Sequence, residues 1–486
     1  MSHNNNHESH RLQRAEWAGR LTAVLLFGVV LCAAAAAQVA TDREEVMAEV
    51  TGSWTGVLAV AGQRIATVLN VSESDGALTA TMDSPDQGAF GIPVASVTVD
   101  GRQITFDVSA VGARYEASLT EDGKLTGTFY QSGLSIPLEM EKGPAGAGGP
   151  PSRPQDPQPP FPYEVSDVVF RNREDGLNFA GTLTYPRGSG PFPSVVLVSG
   201  SGQENRDEEI YNHRPFLVLA DALTRAGYAV LRYDDRGVGG SEGLDTLQTA
   251  TMYDFARDAS AAVDFLASTP GVDTDRIGVI GHSEGASIAA ELAVSNPHVA
   301  FIVLMGMPGL PGDQVMIQQW TAILDASGAS QAVVNVVADV WRRVYDRILE
   351  GGPTDAIAAD IRPILAELGQ GQDQLNAQVA AVTSPQWIGF LSYDPRPVLR
   401  RIDVPVLAIT GSLDTQVPAE PNLASIRQQL RAAPTSRFVV RELPGLNHLM
   451  QTATTGSPQE YATIDETFAP LALNTIVDWL GRVVGR

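Results

Sequence analysis

Apolar and polar positions follow two different periods along this chain, and the change of period divides it. From residue 48 to about 142, short runs of strand-like character alternate with turn residues. They are Gly52 to Leu58, Arg64 to Val71, Val97 to Val99, Gln103 to Val108, Arg114 to Leu119, Leu125 to Tyr130 and Leu134 to Met140. Asp100-Gly101 and Glu121-Asp122-Gly123 supply tight turns between them, and no helical spacing intervenes. Many short strands without helices predict a small all-β, barrel-like domain over 48–142. No cluster of histidines or carboxylates marks a binding site in it, so an accessory role is the expectation.

Gly143 to Pro162 follows neither period. Its run of Gly, Ala and Pro cannot build a core, and it reads as a partly extended linker. From Tyr163 the pattern becomes strand alternating with helix. After a leading hairpin (Asp167 to Arg171, Leu177 to Tyr185), apolar runs stand at Ser194 to Val198, Ala229 to Tyr233, Ile277 to Ile280, Ala300 to Met305, Val404 to Thr410 and Phe438 to Leu443. Between them lie helical spacings such as Phe216, Leu219, Ala220, Leu223 and Ala226, Tyr253 to Leu266, and Leu471 to Val484. Such alternation predicts a mostly parallel sheet with helices on both faces over 163–486, with its site at the carboxyl ends of the strands. The interval between Met305 and Val404 is too long for one crossover. It carries helical patterns at Val315 to Leu324, Ala332 to Leu349, Ala356 to Leu368 and Leu375 to Val382. Residues 308–395 therefore read as a helical cap over that site, with Trp320, Trp387 and Tyr393 as candidate pocket residues.

At the N-terminus, Arg11, Arg14 and Arg20 precede the apolar stretch Leu21 to Leu31 and a run of alanines. That is the pattern of a signal peptide over 1–37, cleaved near Ala35-x-Ala37; an uncleaved anchor is the competing reading. The expectation is an exported protein, periplasmic or secreted, with no membrane span after cleavage.

Composition then removes chemistries. The formal net charge of −23 repels phosphate backbones and argues against nucleic-acid partners. The one cysteine, Cys32, lies in the N-terminal segment, which leaves the body without a thiol nucleophile or Cys-bound zinc. Lysine occurs only at Lys124 and Lys142, so a Schiff base, a Ser-Lys pair or a P-loop is excluded past the linker. No metal or organic cofactor is implied.

One motif remains that carries chemistry. Gly281-His282-Ser283-Glu284-Gly285 follows a strand and precedes an alanine-rich helical pattern, which is the context of a nucleophile elbow. A serine hydroxyl attacks carbonyls only when a histidine takes its proton and a carboxylate holds that histidine. Past the linker the histidines are His213, His282, His298 and His448. His298 precedes a strand and belongs to the opposite face; His282 points away from its neighbour in a tight turn; His213 opens the first helix beside Glu208-Glu209. His448 follows the last strand at its carboxyl end and is the candidate base. Asp414, after the preceding strand, is the candidate acid, and Ser283, Asp414, His448 follow the chain order serine, acid, histidine that accompanies such an elbow. Two backbone N–H groups must face the developing oxyanion. Glu284 is one candidate. In Ser199-Gly200-Ser201-Gly202-Gln203, Ser201 is the first choice for the other and Gln203 the second. The loop Asp234-Asp235-Arg236-Gly237 reads as structural, its charges fixing neighbouring loops.

These residues resemble the α/β-hydrolase superfamily over about Tyr163 to Arg486. Ser199-Gly200-Ser201-Gly202, Asp234-Asp235-Arg236-Gly237 and the Gly281 to Gly285 elbow look like the bacterial EstD-type serine carboxylesterases. The resemblance implies hydrolysis of short- to medium-chain esters through an acyl-enzyme, with Ser283 as nucleophile, Asp414 as orienting acid and His448 as base. Two positions depart from many relatives: Ser199 stands where His is usual, and Ala286 where a further Gly is frequent. The expected partner is a small ester substrate. A serine peptidase or aminopeptidase on the same fold is the alternative, and a non-catalytic binding protein on a hydrolase fold the third reading.

Overall fold

The computed structural model describes residues 43–484 apart from 44–45, 61–62, 75, 86–88, 132–133, 144–152, 248 and 368–370; the expected signal at 1–37 lies outside the described residues. The chain forms two compact units, Met1–Pro150 and Pro151–Arg486.

Among the described residues the first unit has nine strands: β1 (Gly52–Val60), β2 (Gln63–Ser74), β3 (Ala77–Ser84), β4 (Ala89–Val94), β5 (Ser96–Asp100), β6 (Gln103–Val108), β7 (Ala113–Leu119), β8 (Leu125–Gln131) and β9 (Leu134–Lys142). They form one antiparallel sheet in the order β4-β3-β2-β1-β9-β8-β7-β6-β5. β4 and β5 are its two edges, yet Ala95 alone joins them in the chain. The sheet must therefore curl until its edges meet. Along β6 and β7 every second residue is buried, the period a one-sided sheet requires. Trp54, Phe106, Tyr115 and Phe129 fill the inner face, and the Tyr115 hydroxyl donates to the carbonyls of Leu125 and Leu138. The inside of the curl is thus a packed core.

The second unit begins before Tyr163. The segment expected as free linker is docked from Arg153 onward, a correction to its length. The Arg153 guanidinium donates to the carbonyls of Ile464 and Tyr211. The Gln155 side chain pairs with the backbone at Thr467 and Phe468, and Asp156 pairs with Arg214. Prolines pre-order the backbone here, and polar side chains between them supply the contacts that composition alone does not reveal.

Its sheet contains β10 (Glu164–Asn172), β11 (Leu177–Tyr185), β12 (Phe192–Val198), β13 (Ala229–Tyr233), β14 (Val272–His282), β15 (Val299–Met305), β16 (Val406–Gly411) and β17 (Phe438–Leu443), in the order β10-β11-β13-β12-β14-β15-β16-β17. β10 and β11 are antiparallel, and all strands from β13 to β17 run parallel. Alternate strand residues face opposite layers. Val196, Val198, Val279, Ile302 and Leu304 pack with α2 (Met252–Ser268) and α3 (Glu284–Ser295). Val195, Leu197, Ile280, Val303 and Met305 pack with α1 (Pro215–Arg225) and the closing helix Pro470–Val483. Burial on both faces explains the continuous apolar runs.

Among the described residues the cap interval holds five helices: α4 (Gly312–Ala326), α5 (Gln331–Leu349), α6 (Thr354–Glu367), α7 (Gln372–Val382) and α8 (Pro385–Ser392). Their own core includes Trp341, Val344, Tyr345, Ile348, Ile357 and Leu391. The sequence pattern missed α8, because Ser384-Pro385 reads as a turn. Here it is a helix start instead: the Ser384 hydroxyl accepts from the Trp387 N–H, with Pro385 as first residue. Among the described residues no helix is long and apolar enough to cross a membrane.

Candidate active site

The strand order reverses at β12, whose two neighbours are β13 and β14. This is the switch point where clefts form in open parallel sheets. Val198 at the end of β12 is in register with Gly281 at the end of β14, so the loop after β12 lies beside the elbow. Ser283 has φ 54° and ψ −119°, a conformation costly for a residue with a Cβ and found where surrounding structure enforces it. Close packing does the enforcing. A Cβ on Gly281 would fall 2.0 Å from the Gly285 carbonyl, and one on Gly285 would fall 2.3 Å from the carbonyls of Val198 and Ser199. The Ser283 N–H donates to Met305 O at 2.8 Å, tying the elbow to β15. Ser283 then caps α3, and Glu284 is the helix's first residue, so its N–H has no acceptor within the helix.

Asp414 and His448 come from the loops after β16 and β17. Gly411 lets those loops touch, since a Cβ there would lie 2.1 Å from the Leu446 carbonyl. His448 Nδ1 is 2.8 Å from Asp414 Oδ2, and Asp414 Oδ1 accepts from the N–H groups of Gln416 and Val417 at 2.9 and 2.7 Å. Both residues are buried. The imidazole lies over Gly306, where a Cβ would sit 3.2 Å from its Nδ1 and Cε1. Gly306 follows Met305, the acceptor for the Ser283 N–H, so serine and histidine flank the end of β15. Among the described residues His448 Nε2 makes no hydrogen bond.

The loop after β12 is held from beneath. Ser199 Oγ donates to both Asp235 oxygens at 3.1 and 3.0 Å, which gives the Asp235 loop the structural role expected of it. The Gly200 N–H is taken by Glu208 Oε1 at 2.9 Å. Ser201 and Gly202 line a cleft of about 320 Å³ together with Ser283 and Glu284; Gln203 does not. Among the described residues the Ser201 N–H has no acceptor. The cap closes the far side with Val315, Met316, Trp387 and Phe390. Trp387 is therefore in the cleft. Trp320 instead stacks on Trp341 in the cap core and donates to Tyr345, and the Tyr393 hydroxyl donates to Glu291.

The model of the alpha/beta hydrolase family matches residues 195–464. The chain belongs to that family. The hydrolase is 26% identical over 351 residues to Esterase EstD of Thermotoga maritima, covering 71% of each chain. It is 31% identical over 138 residues to Esterase FrsA of Yersinia pestis, covering 28% of this chain and 30% of that one. The Pyrococcus furiosus esterase Pf2001 superposes at a TM-score of 0.41 with 17% identity, covering 69% of this hydrolase and 99% of the other.

The other histidines of the hydrolase separate clearly. His298 is exposed just before β15. His213 is buried against Tyr461 O and Thr467 Oγ1, and burial, outweighing the Tyr461 bond, pushes its pKa down to about 4; as a neutral ring it ties the start of α1 to the segment before the closing helix. His282 was expected to point away from Ser283, and its ring enters a second pair. Its Nδ1 lies 2.8 Å from Glu208 Oε1 and its Nε2 2.9 Å from His448 O. An imidazole facing acceptors at both nitrogens must carry both protons. Burial opposes that charge, but the Glu208 carboxylate and the His448 carbonyl outweigh it and hold the pKa up at about 9. Glu208 and His282 thus connect the Gly200 loop to the His448 loop. Sequence reasoning missed this link, and the one signal available was the acidic pair Glu208-Glu209 near the catalytic face.

Proposed function

We propose that this hydrolase is a serine carboxylesterase acting on short- to medium-chain esters. The observation that carries the reading is the Asp414–His448 pair at the end of β15, beside a serine held at positive φ on a helix N-terminus. Ser283 Oγ adds to the ester carbonyl while His448 Nε2 accepts its proton. Asp414 keeps the other proton on Nδ1 and stabilises the imidazolium. The N–H groups of Glu284 and Ser201 donate to the oxyanion. Collapse expels the alcohol, which takes the proton from Nε2 and leaves the acyl group on Ser283. Water then attacks that acyl ester with His448 as base, releasing the acid and restoring the serine. The sequence implies no metal or organic cofactor. The esterase names of the relatives support the choice of ester over amide substrates, and the N-terminal pattern supports export, with the β unit as an accessory domain.

Purified full chain should hydrolyse p-nitrophenyl butyrate, and Ser283→Ala should not. Equal rates for the two proteins would refute the reading. A higher kcat/KM on an aminoacyl anilide than on the matched ester would make the enzyme a peptidase instead. A fluorophosphonate that leaves Ser283 unlabelled would favour a binding protein.

A further inference from the structure

Glu284 has so far entered only through its backbone, and its side chain is unlike the other buried acids around the site. Glu208 holds Gly200 and His282, Asp235 holds Ser199, Asp258 holds Arg236, and Asp414 holds His448. The Glu284 side chain belongs to a residue only 7% exposed. Among the described residues no hydrogen-bond donor or cation contacts its carboxyl group. Burial is the sole cause acting on it, and pushes its pKa up to about 7. Its oxygens are not sealed from solvent and the residue lines the cleft; a carboxylate so poorly hydrated is stabilised by a cation arriving there.

The cleft gives that partner's chemistry. Among the described residues lining it, Glu284 alone is charged; the polar remainder is hydroxyl and amide groups such as Ser384, Gln319 and Gln416. Trp387 and Phe390, ring centroids 5.9 Å apart, line the same space, and aromatic rings attract quaternary ammonium groups. The protein's net charge of −23 further favours entry of a cation.

We propose that the cleft selects esters bearing an ammonium group, for which the Glu284 carboxylate is the counter-ion. The proposal rests on the acyl-transfer reading of Ser283 and adds the substrate class to it. The ammonium sits on the substrate's alcohol or acyl side, and two isosteric pairs separate these cases. Butyrylcholine against 3,3-dimethylbutyl butyrate places the charge in the alcohol. p-Nitrophenyl 4-(trimethylammonio)butyrate against p-nitrophenyl 5,5-dimethylhexanoate places it in the acyl group.

The experiment measures kcat/KM for each pair at pH 8 with the full chain, Glu284→Gln and Glu284→Asp. The readout is the cation-to-neutral ratio within each protein, so a general loss of activity does not affect it. In at least one pair the native protein should favour the cation by about tenfold or more. Glu284→Asp should keep a preference, and Glu284→Gln should bring the ratio close to one. Ratios at or below one in both pairs for the native protein, or a preference unchanged in Glu284→Gln, would overturn the proposal while leaving the esterase reading intact. Hydrolysis of neither member of either pair, with Ser283 unlabelled by fluorophosphonate, would overturn both.

Discussion

Two carboxylate–histidine pairs stand side by side in this hydrolase, with ring centroids 4.6 Å apart. In each, a carboxylate oxygen lies 2.8 Å from Nδ1. They differ at the other nitrogen. His282 Nε2 is spent on the carbonyl of His448, so that ring is a fixed imidazolium, charged against Glu208 and braced between two loops. His448 Nε2 is bonded to nothing among the described residues. A histidine serves as a base only if one nitrogen can gain and lose a proton. The carboxylate partner does not distinguish a catalytic pair from a structural one; the vacancy at Nε2 does. The adjoining imidazolium also carries fixed positive charge behind the His448 loop, and its donated hydrogen bond sets the height of the His448 backbone.

The comparison breaks most sharply under substitution of the base. His448→Ala should lower kcat for p-nitrophenyl butyrate by roughly 10⁴- to 10⁶-fold with little change in thermal stability. Asp414→Asn, which frees the ring to adopt the wrong tautomer, should cost about 10⁴-fold in kcat. His282→Leu should invert this pattern. It leaves Glu208 buried without its cation, a loss of about 3–5 kcal/mol visible in denaturant titration, while the folded fraction retains activity well above that of His448→Ala. If His282→Leu abolished turnover at unchanged stability, the assignment of the two pairs would have to be exchanged.

Alkaline pH sharpens the same contrast. The folded His282 pKa stands at about 9, above its ordinary 6.5. Its stabilisation is therefore fully present below 6.5 and is lost as pH rises through 9. Melting temperature should fall between pH 7 and pH 10, and His282→Gln should show a shallower fall over the same window. The smallest expected effect concerns the cap: Trp387→Ala should raise KM for a hexanoyl ester by about tenfold and for an acetyl ester much less. Equal shifts for the two esters would place the acyl chain elsewhere.

Much of the site was legible because strand ends are legible. Apolar runs placed Ser283, Asp414 and His448 each after a parallel strand, and scarcity of histidine left few rivals. The elbow glycines were also readable, although the contacts that require them, with Val198 and Ser199 across the cleft floor, were not. What escaped were polar links between loops distant in the chain. Glu208 reaches Gly200 and His282, His282 reaches His448, and Arg153 reaches Ile464. No periodicity encodes such contacts, since each is one side chain meeting one backbone group after the fold has formed. The helix carrying Trp387 escaped for a local reason: eight residues that follow Ser384, begin with Pro385 and contain Gly389 carry turn signals as strong as helical ones.

The central claim is that Ser283 becomes acylated with His448 as its base. Rapid mixing of the full chain with excess p-nitrophenyl butyrate, followed by acid quenching and peptide mass spectrometry, tests it directly. The expected result is a burst of about one p-nitrophenolate per chain and a butyryl group on the peptide carrying Ser283, the adduct missing from His448→Ala and still formed by His282→Gln. Steady turnover with no acyl group on Ser283, or an adduct formed equally fast without His448, would contradict the account.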